Sequence, residues 1–223
     1  MLVGHFAAGM IAKRVEPRIS LGTALLAAIL ADLLLFVFWM AGAEHVVVES
    51  GRGAANYFVS TEISWSHSLL MNAVWGALLA AAYYWRRRYS RAAWVLFAAV
   101  VSHWVLDWVS HRADMPLAPG VPRYFGLGLW TSVPATVVVE GGFWLVAIIL
   151  YLRATRPANR AGIYIFWIAA VILTLAWYNN IAGQPPPNPH TAPVASLIFF
   201  ALFVAWAYWM NRLRPARDQS PSP

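Results

Sequence analysis

Long apolar runs alternate with short polar ones along this chain, and the runs have the length of membrane crossings. A spanning helix needs about 20 mostly apolar residues. Six segments meet that requirement, approximately Ile19–Gly42, His67–Trp85, Ala92–Ser110, Thr131–Leu152, Gly162–Ala182 and Val194–Met210. Charge, Pro or Gly bounds each of them, as helix ends require. The first residues, "MLVGHFAAGMIAKR", are apolar but too short to span. Their charges follow the apolar stretch, whereas a signal peptide places them before it. They predict a short helix that dips into the bilayer or lies on its surface. The end, "RPARDQSPSP", is polar and Pro-rich and predicts disorder. The fold class is therefore all-α, a polytopic transmembrane helix bundle of about six spans plus a short N-terminal helix. It reads as one domain over residues 1–212 and a disordered cytoplasmic tail over 213–223.

Composition agrees with this class. The chain is 61% hydrophobic and 11% charged with a mean hydropathy of +0.58, against about 45–50% apolar and about 25% charged for soluble domains. The net charge of +7 would suggest nucleic acid as partner in a soluble protein. Here the basic residues cluster between apolar runs, so the lipid bilayer is the expected partner and nucleic acid is not. The absence of cysteine excludes disulfides and thiolate metal sites.

Lys and Arg set the orientation. Lys13, Arg14, Arg18, Arg86, Arg87, Arg88, Arg91, Arg153, Arg156, Arg160, Arg212, Arg214 and Arg217 fall on one side of a six-span arrangement. Only Arg52, Arg112 and Arg123 fall on the other. By the positive-inside rule both termini are cytoplasmic.

Against this background the ionisable residues inside apolar runs stand out, because a charge near the bilayer centre costs at least about 2.5–3.5 kcal/mol. Asp32 lies in the first span, His103 and Asp107 in the third, and Glu140 in the fourth. His67 begins the second span and His111 follows the third. Asp32 is about 15 Å from the outer end of its helix, and all the others also fall in the outer half. The stretch "SHWVLDWVSH" puts His103, Asp107 and His111 on one helical face. Imidazole nitrogen and carboxylate oxygen suit a divalent metal. Simpler roles exist for several of these groups. Asp32 can be a hydrogen-bonded buried acid, His67 after Ser66 can cap the second span, and Glu140 can pair with Arg112 or Arg123. His45 and His190 fall in outer loops, where solvation accounts for them. Trp65, Trp104, Trp108 and Trp130 fit an interfacial aromatic belt.

These residues resemble the motifs of bacterial inner-membrane proteins described as membrane-bound, metal-dependent hydrolases linked to LexA regulation. That family has an early His, an acidic Pro-Asp-x-Asp motif, an HRGxTHS motif and HxxLDxxT. The matching residues look like His5 in "VGHFAAG", Asp32 in "LADLLLF", His67 in "EISWSHSLL", and His103 and Asp107 in "SHWVLDWVS". The chain departs from the pattern at Leu34, where a second Asp is expected, and at Glu62, Ile63 and Ser64, which replace His, Arg and Gly. The Glu62 carboxylate retains the capacity to bind a metal. The segment "HRADMPLAPG", with "GLGLWTS" and Glu140 after it, is similar to uncharacterised membrane proteins carrying HRPDxPL. A more distant similarity is to zinc-dependent phospholipase C and related nucleases, although Thr136 stands where their pattern has a His. The resemblance implies a divalent metal, zinc, and hydrolysis of a phosphoester or other lipid-linked ester, with hydroxide as nucleophile.

Other chemistries fit less well. No G-x-S-x-G or H-E-x-x-H occurs. Ser66 and Ser102 adjoin His67 and His103, so on a helix their side chains diverge by about 100°. A phosphohistidine lipid phosphatase would need a shorter spacing from Arg91 to His103. An ion- or proton-coupled transporter predicts polar residues in both membrane halves, and the inner halves are almost purely apolar. A non-catalytic membrane protein leaves the HxxxD pair unexplained. The sequence therefore predicts a multi-pass inner-membrane protein with a metal site facing the extracytoplasmic side. Asp32, His67, His103 and Asp107 are the expected ligands, with His5 added by the resemblance if its helix enters the bilayer. Glu140 and His111 are the expected outer ligand, base or orienter.

Overall fold

The computed structural model describes residues 1–48, 55, 58–182 and 191–217. The helices are α1 (Leu2–Val15), α2 (Leu21–Ala28), α3 (Leu30–Met40), α4 (Ser64–His67), α5 (Leu69–Arg87), α6 (Ser90–Ser110), α7 (Val133–Ala154), α8 (Ala161–Ala182) and α9 (Ala192–Leu213). Two antiparallel hairpins cover one end: β1 (His45–Val48) with β2 (Phe58–Glu62), and β3 (Met115–Pro116) with β4 (Tyr124–Phe125). Arg52, His190 and residues 218–223 lie outside the described residues.

The chain is a polytopic helical bundle. Four helices, α6 to α9, are long and apolar enough to cross a membrane, and α2 with α3 passes as a pair bent by 57°. The second expected span, α5, is helical over 19 residues. Asn72, Arg86, Arg87 and several aromatic residues make it less apolar than those helices, so four or five spans are long and apolar enough to cross where six were expected. Val138, Leu145, Leu175 and Leu202 are each more than half exposed. So much outward apolar surface on a soluble protein would mark an interaction site, and here it faces the bilayer.

Two departures from the sequence reading position the site. First, α1 does not lie on a surface. Val3, Phe6, Ala7 and Met10 are buried in the main core with Leu21, Leu25, Phe200 and Phe203, and α1 packs on α2, α6 and α7. Gly9 permits the closest of these approaches, since a Cβ there would overlap the side chain of Leu25 and stand 3.0 Å from its Cα. Second, the expected first span is two helices. Neither Pro nor Gly marks the break at Ile29. The last carbonyls of α2 are left without intrahelical donors, and one of them is used in the site.

The Arg-rich end is tied by polar contacts. Lys13 is buried and donates to the carbonyls of Pro17 and Ile19 at 2.7 and 2.8 Å. The buried Glu16 accepts from the Tyr89 hydroxyl at 2.8 Å and pairs with Arg91 at 3.2 Å. That hydrogen bond raises the Tyr89 pKa above its usual value, with smaller contributions from burial and from the Glu16 charge. From this end α1 runs back through the bundle, so Met1 is buried beside Asp107 and not at the Arg-rich end.

Candidate metal centre

His103 is the pivot of the site. It is fully buried on α6, and its Nδ1–H donates to the Ala28 carbonyl, freed by the α2–α3 break, at 2.8 Å. A carbonyl only accepts, so the proton sits on Nδ1 and Nε2 of the neutral ring carries a lone pair. His67 is built the same way. Its Nδ1 stands 2.8 Å from the hydroxyl of Ser66, which is also fully buried. The hydroxyl both donates and accepts: accepting from Nδ1–H it leaves Nε2 a lone pair, and donating to Nδ1 it leaves Nε2–H directed at His103. The two Nε2 atoms face each other at 3.2 Å. Two lone pairs at that separation repel unless a proton or a cation lies between them.

Carboxylates close the group. Asp32 lies in the first turn of α3, where the helix dipole favours an anion. Its Oδ1 is 3.5 Å from His67 Nε2 and 3.7 Å from His103 Nε2. Asp107, one turn after His103, brings Oδ2 to 3.1 Å from His103 Nε2 and 3.7 Å from His67 Nε2. Its Oδ1 faces the other way, 3.1 Å from His5 Nε2 and 2.6 Å from the Met1 amine. The His5 ring stacks on His103 with centroids 3.6 Å apart, and His5 Nδ1 is buried with no hydrogen-bond partner among the described residues.

The donor set fits a divalent cation. Ligands about 2.0–2.2 Å from a tetrahedral zinc stand about 3.3–3.6 Å apart. Five of the six pairs among Asp32, His67, His103 and Asp107 have ligand atoms 3.1 to 3.7 Å apart, the pair of carboxylates Asp32 and Asp107 not being one of them. Two triads, Asp32–His67–His103 and His5–His103–Asp107, each bring one ligand atom per residue within 4.8 Å of the others. Both imidazoles of the first triad also carry the hydrogen bond at the far nitrogen that orients metal-binding histidines.

The remaining expected residues take different places. His111 lines the same cavity as the cluster. Its Nε2 is 3.9 Å from Asp107 Oδ1, its Nδ1 3.0 Å from Asp114 Oδ1, and Trp130 packs on its ring at 4.5 Å. Glu140 is buried but does not line the cavity; its Oε1 accepts from the Gly4 amide at 3.3 Å. It thus holds the first turn of α1, and neither Arg112 nor Arg123 is its partner in that contact. Glu62 points away from the cluster and pairs with His45 at 3.4 Å, both side chains being well exposed. His67 does not cap α5, because Ser68 does, accepting from the Met71 amide. Trp104 is buried and donates to the Pro116 carbonyl at 3.0 Å, so it is not an interfacial belt residue.

Several supporting groups escaped sequence reasoning. Ser66 does not diverge from His67, because α4 is a four-residue turn and the ring folds back on its neighbour. The buried Glu44 holds that turn, its Oε1 accepting from the Trp65 and Ser66 amides at 2.8 Å each. Asn72 locks it from the other side by donating to the carbonyls of Ser66 and Ser68. The cavity, about 470 Å3, has His5, Asp32, His67, Asp107 and His111 on its floor, with α3, α8 and α9 as walls. Ser66 and Asn72 were signalled by their closeness in sequence to His67, whereas Glu44 reaches the turn from more than 20 residues away.

Comparison with curated proteins finds no match, and comparison with solved structures finds none. A family model for the YdjM inner membrane protein matches residues 1–182, a range holding every residue of the cluster and the helices α1 to α8. On this match over most of its length, the chain belongs to the YdjM inner membrane protein family.

Proposed function

We propose that this chain is an integral membrane, metal-dependent hydrolase acting on a phosphoester or other lipid-linked ester, with zinc held by Asp32, His67, His103 and Asp107. The observation that carries this reading is the pair of Nε2 atoms of His67 and His103 facing each other at 3.2 Å, with a carboxylate oxygen of Asp32 and one of Asp107 beside them. A bound divalent cation supplies an activated water near neutral pH and stabilises charge developing on the ester oxygens. The chain's own residues do the rest. Ala28 and Ser66 hold the two imidazoles in the ligating tautomer. The Asp114 carboxylate accepts from His111 Nδ1–H and orients that ring, leaving Nε2 as a proton acceptor beside the cavity. His5 braces the second oxygen of Asp107, and Glu140 positions the turn that carries His5.

A transporter would need polar side chains leading from the cluster to the Arg-rich end. That direction is filled by an apolar cluster of Ala12, Ile19, Ala24, Ala27, Leu96, Ala99 and Val100, which favours a one-sided site. The positive-inside rule turns that site toward the extracytoplasmic face.

Metal analysis of purified protein beside a His103→Ala, Asp107→Ala double variant tests the assignment. The unsubstituted protein is expected to hold stoichiometric zinc and to hydrolyse a phosphoester in a metal-dependent way, and the variant to do neither. Equally negligible metal in both proteins overturns the reading.

A further inference from the structure

The cavity beside the cluster has two chemically distinct parts. Its floor is the His and Asp group, and its wall on α3 and α9 is Leu35, Phe36, Trp39, Phe199 and Phe200. Phe36 and Phe200 are buried, with ring centroids 5.5 Å apart, so the wall continues the main core. From these observations we infer that the cavity is the berth of one apolar chain, and that the ligand is a single-chain amphiphile with its head group on the floor. This inference deepens the hydrolase reading and rests on it for the fate of the head group, although binding of the chain does not.

Size, charge and location point to this occupant. About 470 Å3 falls within the roughly 300–1,000 Å3 of sites that hold one small ligand, which suits one chain better than the two of a diacyl lipid. Among the described residues no Lys or Arg lines the cavity, and the Met1 amine that does is paired with Asp107, whereas soluble phosphate compounds are commonly gripped by free Lys or Arg cations. The other polar wall groups are neutral: Asn179 and Asn180 at the end of α8 and Ser196 at the start of α9. They suit an uncharged hydrogen-bonding part of a head group. The opposite faces of α3 and α9 expose Val37, Ile198 and Leu202. The berth is thus one helix thickness from the bilayer.

The test uses the full chain in vesicles with a long-chain alkyl phosphate bearing a terminal diazirine, after chelator treatment so that no turnover is required. Photolabel is expected on the inward residues Leu35, Phe36, Trp39, Phe199 and Phe200. Unlabelled long-chain alkyl phosphate should compete for labelling, and inorganic phosphate should not. Leu35→Ser with Phe199→Ser, both half-buried positions, should cut labelling about tenfold or more, from the loss of two apolar contacts. Label confined to Val37, Ile198 and Leu202, equal competition by inorganic phosphate, or equal labelling by a diacyl probe overturns the berth. Zinc binding without inward label leaves a hydrolase of soluble esters and removes this inference alone. Inward label without zinc binding removes the hydrolase reading and leaves the berth.

Discussion

Replacing Ser66 by Ala is the sharpest perturbation of the proposed centre, because it touches no ligand atom. The hydroxyl lies 2.8 Å from His67 Nδ1 and both residues are buried. Alanine removes the acceptor, leaves a buried ring N–H unpaired and lets the imidazole rotate away from His103. Loss of such an orienting partner typically lowers metal affinity about 10–100-fold, or about 1.4–2.7 kcal/mol. His67→Ala, which deletes the ligand itself, should lower it further. Ser102→Ala is the control, since that hydroxyl bonds only the Ala99 carbonyl on its own helix. The assay is competitive titration of the detergent-solubilised protein with a zinc-binding dye, read beside thermal unfolding to confirm an intact fold. If Ser66→Ala and Ser102→Ala bind zinc equally well, or if Ser66→Ala costs as much as His67→Ala, the orienting role is refuted.

Gly9→Ala should lower the thermal midpoint, because its new methyl meets Leu25 where α1 and α2 touch. Overpacking of this kind costs about 1–3 kcal/mol, and the same variant should weaken zinc binding by shifting His5. Tyr89 provides a pH test. Its folded pKa is raised, so the stabilisation is fully present below the unfolded value near 10 and declines as pH rises through the folded value. Unfolding followed from pH 9 upward should show this alkaline loss, and Glu16→Ala should remove most of it; an unchanged profile would contradict the hydrogen bond. Because the chain has no cysteine, single cysteines at Tyr124 and Arg156 report sidedness cleanly. An impermeant maleimide should label the first and not the second in cells with the outer membrane permeabilised, and the reverse pattern inverts the proposed orientation.

That Asp32, His67, His103 and Asp107 share one level of the bundle was readable from the span boundaries, because a helix rises by a constant amount per residue. Depth, however, is one coordinate. The azimuth of each helix, and hence whether Asp32 faces His103 or lipid, depends on packing against its neighbours. Glu62 illustrates the limit: motif alignment made it a ligand candidate, yet it lies on a hairpin facing His45. Ser66 illustrates another, since an assumed regular helix separates it from His67 and the actual four-residue turn joins them.

Apolar run length and the Lys/Arg asymmetry are properties of the chain read in one dimension, and they sufficed for the all-α membrane class and for the HxxxD face of α6. The bilayer imposes those signals directly, since unpaired backbone and buried charge are costly in hydrocarbon. The bend at Ile29, the burial of α1 and the resulting place of His5 left no such mark. Each arises from contacts between residues far apart in sequence: Gly9 on Leu25, Ala28 with His103, and Gly4 with Glu140. A short apolar helix is equally compatible with a membrane surface and a protein core, and only the neighbours that fold around it select between the two.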